Sequence, residues 1–239
     1  MVYNNLLLIV ILQSVQQCMA SSELNRSSVK APRLQDVPIF HSVRDNVSWS
    51  EFQNIKKFTT TAAVELYSAL WDGKKIMIKS LKNESKGSSR MGSKKEMEHE
   101  IGILQRLDHP NIVRILGSGH SPFRFSVIEF LEGGMISKLL NYTYRDNNNY
   151  GKEKLPLDKV FKIAISTANA LCYMHEKWQL RARLFHRDLK TDNIGITADG
   201  TVKVFDFGLS KIIAKIGPNQ EDVGFPLSNG VGSWRYAYL

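Results

Sequence analysis

"HRDLKTDN", His186–Asn193, gathers Arg187, Asp188, Lys190, Asp192 and Asn193 into one octapeptide. It follows the longest helical pattern of the chain, "LDKVFKIAISTANALCYMH" (157–175). There Val160, Ile163, Ala164, Thr167, Ala168, Leu171, Cys172 and His175 recur at helical spacing and form one stripe. Two short strand patterns come after it, "IGIT" (194–197) and "VKVF" (202–205), around the turn "ADGT". A dense polar loop set between a buried helix and a small hairpin is where chemistry is commonly placed.

Working outward, "AVELYSALW" and "KIMIKSL" read as two strands joined through Asp72-Gly73, a strong hairpin signal. "NESKGSSRMGSKK" (83–95) reads as a loop. In "EMEHEIGILQRL", Met97, Ile101, Leu104 and Leu107 take helical spacing. "IVRILGSGH" and "RFSVIEFL" read as further strands, and "EGGMISKLL" as the start of a short helix before a polar insert. Strands come first and the long helix second, with no internal repeat, so the fold class is α+β in two lobes rather than alternating βαβ. Residues 1–20 are a candidate signal or targeting segment, 21–48 a polar lead-in or linker, and 49–239 the folded domain.

The chain has 239 residues, 43% hydrophobic and 23% charged, enough for one core or two small lobes. Its formal net charge of +9 makes an acidic or phosphate-bearing partner plausible. Much of the excess is local: Lys74, Lys75, Lys79, Lys82, Lys86, Arg90, Lys94 and Lys95 face one carboxylate, Glu84. No aromatic residue interleaves the charges from Ser80 to Glu96, so this is a solvated basic stretch and no nucleic-acid partner is expected. Two cysteines, Cys18 and Cys172, make neither a disulfide framework nor a zinc site, and they suit a reducing compartment. "LLLIVIL" (6–12) is too short to span a bilayer, so no transmembrane span is expected, though with "CMA" before Ser21 it has the outline of a secretory signal. Asn25, Asn46, Asn83 and Asn141 open N-x-S/T triplets. Cysteine usage thus points to the cytoplasm and the N-terminus to secretion.

Over roughly residues 49–239 the sequence resembles a eukaryotic protein kinase of the serine/threonine type. "IMIK" (76–79), "HRDLKTDN" (186–193) and "DFG" (206–208) stand in the family's order. The resemblance implies a two-lobed kinase-like fold that takes ATP and Mg2+ and phosphorylates hydroxyls of a protein substrate. Asp188 would be the catalytic base, Lys190 would steady the transferring phosphate, and Asn193 and Asp206 would hold magnesium. Lys79 would contact the α- and β-phosphates, and Glu100 would pair with it. Leu66, Met77, Ile128 and Gly195 would line the adenine pocket, with the backbone of Glu129 and Leu131 along the adenine edge. His186 reads as a packing residue beneath the loop, beside Phe207. Arg187 next to Asp188 implies switching by phosphorylation, with Ser228 the expected acceptor. Ser233 and Tyr236 resemble the substrate-loop residues of the family.

Three departures matter. The glycine-rich loop G-x-G-x-x-G should fall on Thr59–Val64, where the chain reads "TTTAAV". Glycine lets the backbone fold over phosphates, so a weaker grip is expected, with threonine hydroxyls covering the nucleotide and Val64 the hardest residue to fit. Met77 replaces a small residue and Gly195 a large one in the adenine pocket, an exchange of volume that would preserve the slot. Finally, "AYL" stands where A-P-E closes the family's activation segment, which implies a β-rich N-lobe that is complete and a helical C-lobe that is not. Two readings follow: a protein serine/threonine kinase, or a pseudokinase-like docking module that binds nucleotide without catalysis. The oligomeric state is not legible.

Overall fold

A computed structural model of the chain describes residues 32–40, 43–61, 63–82, 88–139, 155–179 and 182–214. Ser228 and Ser233, the N-terminal segment, Cys18, Asn25, Asn83 and Asn141 lie outside the described residues. The chain divides into two compact units, one of residues 38–108 and 113–132, the other of residues 1–37, 109–112 and 133–239.

The first unit is an antiparallel five-stranded sheet in the order β1-β2-β3-β5-β4. The strands are β1 (Gln53–Thr60), β2 (Val64–Trp71), β3 (Lys74–Leu81), β4 (Ile115–Gly119) and β5 (Phe125–Glu129). Asp72 (φ 49) and Gly73 (φ 73) both take left-handed backbone in the β2–β3 turn, the geometry that matches strand twist and that Asp-Gly favours. Ile76, Ile78, Phe125 and Val127 fall at every second position, share one face and join Val47, Phe52 and Ala69 in the core. Trp49 closes that core, meeting Phe52, Tyr67 and Phe125 edge to face at 5.8, 5.4 and 5.3 Å.

Two elements of this unit depart from expectation. The segment before Trp49 packs as part of the sheet: Val47 is buried, Val47 N–H donates to Ser118 O, and Ser118 N–H donates to Arg44 O. It thereby covers the edge strand β4, whose backbone would otherwise lie open. Helix α1 (Ser88–Leu104) begins inside the stretch that the sequence reads as a loop. Gly92 costs about 1 kcal/mol there, but Lys94, Lys95, Glu96 and Met97 are good helix formers, and Met97, Ile101 and Leu104 bury one face.

In the second unit, helix α2 (Leu157–Cys172) buries Val160, Ile163, Ala164, Thr167, Ala168, Ala170 and Leu171. The stripe continues into a single π-helical turn, Tyr173–Lys177, which buries Met174 and His175. On the other side of α2, Leu157, Phe161 and Ile165 form an exposed apolar ridge. β6 (Gly134–Met135), β8 (Ile194–Ile196) and β9 (Val202–Val204) make a three-stranded sheet, and β7 (Ala182–Phe185) pairs with β10 (Lys211–Ala214). The 109–112 stretch is stitched to β9: Val204 N–H donates to Asn111 O, and Asn111 Nδ2 to Val202 O at 2.9 Å. Cys172 is disulfide-bonded, where the sequence reading left it a thiol. Among the described residues no helix is long and apolar enough to cross a membrane.

Two consequences are measurable. A methyl group on Gly119 would lie 2.2 Å from Phe125 Cζ and 2.4 Å from Val47 O, where backbone cannot yield cheaply. Gly119→Ala should therefore destabilise the first unit by about 1–3 kcal/mol in urea unfolding; unchanged stability would refute the packing. His175 is buried, its Nδ1 without a hydrogen-bond partner among the described residues. Burial, reinforced by the Arg183 charge and opposed by Glu176, lowers its pKa to about 4. The unfolded chain takes up this proton near pH 6.5 and the native chain only near 4. Stability is therefore complete above about pH 6.5 and falls by roughly 3 kcal/mol as pH drops to 4. His175→Phe should flatten this decline in unfolding midpoints measured from pH 7 to 4, whereas an unaltered slope would remove His175 as its source.

Candidate active site

Each unit carries its own share of the residues singled out in the sequence. In the first unit, β3 places Lys79 opposite Leu66 of β2 and Ser126 of β5. Its Nζ meets Glu100 Oε2 at 2.6 Å, with the two side chains 16% and 4% exposed. Glu100 lies among Met97, Ile101 and Leu104 on the buried face of α1, so its charge needs a partner, and α1 must stay docked for it to have one. Two residues before Lys79 on the same strand face, Met77 is buried and pairs across the sheet with Ile128. Ile128 and Leu131 are buried as well, while Glu129 ties β5 to the chain before β4: its N–H donates to Arg114 O at 3.0 Å, and its Oε1 accepts from Arg114 N–H at 2.8 Å.

The hairpin between β1 and β2 stands where the glycine loop was expected. Thr61 N–H donates to Val64 O at 2.9 Å, and the Thr61 hydroxyl donates to Val64 O and accepts from Val64 N–H, both at 3.2 Å. The Thr61 hydroxyl thus closes the turn. Val64, expected to be the hardest residue to fit, enters β2 as ordinary extended backbone, which suits a β-branched residue. Residue 62 lies outside the described residues.

In the second unit, the octapeptide forms a loop wired to its surroundings through His186. The imidazole is buried, and Nδ1 accepts from Asp188 N–H at 3.3 Å. That leaves Nε2 as the protonated nitrogen, donating to Phe205 O at 3.0 Å. Burial lowers the His186 pKa against the opposing pull of the Phe205 carbonyl, which matches a neutral ring making one donation and one acceptance. Phe207, fully buried, packs on that ring at 4.7 Å. His186 is thus the structural residue the sequence suggested.

Around it, Asp188 Oδ2 accepts from Lys190 Nζ at 2.6 Å and from Asn193 Nδ2 at 3.0 Å, and Asn193 Nδ2 also donates to Asp188 O at 2.8 Å. With its amide nitrogen engaged by Asp188, Asn193 keeps its side-chain carbonyl oxygen as an acceptor. Phe205 N–H donates to Asn193 O at 3.0 Å, tying the strand that leads into Asp206 to the loop. Gly195 is buried in β8, paired with Met135 and Lys203. Arg187 (φ 66) and Asp206 (φ 68) take left-handed backbone although neither is glycine. Such conformations cost of order 1 kcal/mol each and persist where the surroundings over-determine them, often at functional sites. No periodicity in the sequence announces them. The Arg124–Glu98 pair in the first unit, at 2.8 Å, was likewise missed, since its residues are 26 apart.

The protein kinase domain family model matches residues 59–237. An L-type lectin-domain containing receptor kinase of Arabidopsis thaliana is 38% identical over 52% of this chain and 23% of its own length. A serine/threonine-protein kinase of Dictyostelium discoideum is 30% identical over 85% of this chain and 20% of its own. The serine/threonine-protein kinase CTR1 of Arabidopsis thaliana is 28% identical over 71% of this chain and 19% of its own. The chain thus spans about a fifth of the length of these relatives. With the lysine–glutamate pair, the octapeptide network and the Asp-Phe-Gly turn all formed, and the family model covering most of the chain, it belongs to the protein kinase family, in its serine/threonine branch.

Proposed function

We propose that this chain is the ATP- and magnesium-dependent catalytic domain of a protein serine/threonine kinase. The observation that carries the reading is the buried Lys79–Glu100 ion pair at 2.6 Å. Phosphoryl transfer requires the strand lysine to be aimed at phosphate by that glutamate, and two buried charges with no use for each other would be an expensive feature to keep.

In this reading Lys79 neutralises the α- and β-phosphates. A hydroxyl of the protein substrate loses its proton to the Asp188 carboxylate as its oxygen bonds to the γ-phosphorus. The bond from that phosphorus to the bridging oxygen breaks, and ADP departs. Lys190, already beside Asp188, carries positive charge to the place where the transferring phosphoryl group gathers negative charge. The residues present suit magnesium: the Asp206 carboxylate and the Asn193 side-chain carbonyl, whose amide nitrogen is engaged by Asp188, are hard oxygen donors. When bound, the ion would neutralise negative charge developing on the phosphates during transfer.

The second reading, a docking module that does not catalyse, draws on one observation: the β1–β2 turn is closed by the Thr61 hydroxyl and has no glycine at its described positions. Calorimetry with the purified chain separates the two. ATP should bind with magnesium, Lys79→Met should weaken it about tenfold or more, and Asp206→Asn should abolish the magnesium dependence. With a peptide substrate, Asp188→Asn should lower transfer by about 10²–10⁴-fold while leaving ATP affinity in place. A folded chain that binds no nucleotide would select the docking module.

A further inference from the structure

Lys79 and Glu100 meet only if α1 sits at one height and one roll angle on the sheet. Met97, Ile101 and Leu104 press the helix down, but apolar contact is non-directional and tolerates slide and roll. A directional contact lies on the other flank. Glu98 is two residues from Glu100, roughly 200° around the helix axis. Both of its oxygens are taken by Arg124, just before β5: Nε to Oε1 and Nη2 to Oε2, each at 2.8 Å.

Arg124 is itself fixed on three sides. Its Nη1 donates to Gly119 O at the end of β4 at 3.2 Å and lies 3.4 Å from His120 Nε2. Its carbonyl accepts from Leu81 N–H at 2.9 Å, and Leu81 ends β3, the strand that carries Lys79. Its side chain is 8% exposed, so the guanidinium has little water to fall back on. A two-pronged, charge-assisted pair in such a setting holds direction as well as distance.

We propose that Arg124 and Glu98 are a positioning pair for the nucleotide site: by locking one flank of α1 to the ends of β3 and β4, they hold Glu100 on Lys79 and so set the grip on ATP phosphates. The proposal rests on the nucleotide-binding reading given above. It assigns no contact with ATP to either residue; they act through α1.

The test uses the full chain and two ligands, MgATP and adenosine, the latter lacking the phosphates that Lys79 would hold. Glu98→Gln, at a side chain 42% exposed, removes the charge with little risk to folding. Arg124→Lys keeps the charge and loses the fork. Each should weaken MgATP about tenfold and leave adenosine affinity unchanged, and the double variant should be no weaker than either single one, because the two residues act as a unit. Unchanged MgATP affinity, equal loss of both ligands, or additive losses would each overturn the proposal. If the unmodified chain shows no Lys79-dependent ATP binding, the nucleotide reading itself fails. Hydrogen exchange without ligand then decides for the pair: faster exchange at the amides of residues 97–104 in Glu98→Gln upholds the lock on α1, and unaltered exchange removes it.

Discussion

Glu100 is a carboxylate held 3% exposed on the apolar face of a helix, and the Lys79 ammonium at 2.6 Å helps to make that placement tolerable. Removing one partner of such a pair leaves an uncompensated buried charge, a loss of about 3–5 kcal/mol. The constraint reaches well beyond the two residues. β3 must run in register with β2 and β5 for Lys79 to emerge at the right point, which the Asp72-Gly73 turn and the alternation of Ile76 and Ile78 secure. Helix α1 must remain docked, which Met97, Ile101 and Leu104 secure by burial and Arg124 by direction. The first unit can therefore be understood as a device for bringing one amine and one carboxylate together out of water.

The second unit solves a different problem, that of holding polar groups in strained backbone without letting them relax. Arg187 and Asp206 both sit at left-handed φ, and His186 lies between the strands of that strain. One ring nitrogen accepts from the amide of Asp188 and the other donates to the carbonyl before Asp206, while Phe207 caps the ring. A charged imidazole could not make that acceptance, so burial, which keeps the ring neutral, is part of the same arrangement. The loop is preorganised by a buried, neutral imidazole.

The elements legible in the sequence were those whose cause is local. Asp-Gly between two alternating runs gives the β2–β3 hairpin, and the helical stripe from Val160 to Leu171 gives α2. The ordered motifs place Lys79 and Glu100 in the first unit and Asp188, Asn193 and Asp206 in the second, because spacing along the chain preserves them. What was missed has non-local causes. Val47 is one apolar residue in a polar stretch, and only Ser118, far along the chain, makes it part of a sheet. β7 and β10 are short and irregular in pattern, and each exists because the other is there to pair with it. The start of α1 is hidden by serines and Gly92, which favour turns locally but yield to a helix propagated from its well-packed end.

The glycine-free hairpin is where local and non-local reasoning part most sharply. The missing glycines argue for a lost phosphate loop, since the family's version of that turn needs backbone that only glycine adopts without cost. The chain instead builds an ordinary hairpin, with Val64 at the start of a regular strand and the Thr61 hydroxyl replacing one backbone contact. Such a turn needs no ligand to keep its shape, whereas a glycine loop is loose until phosphates order it. What is lost in amide groups pointing at phosphate is partly offset by the smaller ordering cost on binding. In the proposed nucleotide-binding reading, the weight of holding phosphate then shifts to Lys79, and with it to the groups that keep Lys79 aimed. A chain in which the turn contributes little is one in which Glu100, and the helix that presents it, can least afford to move.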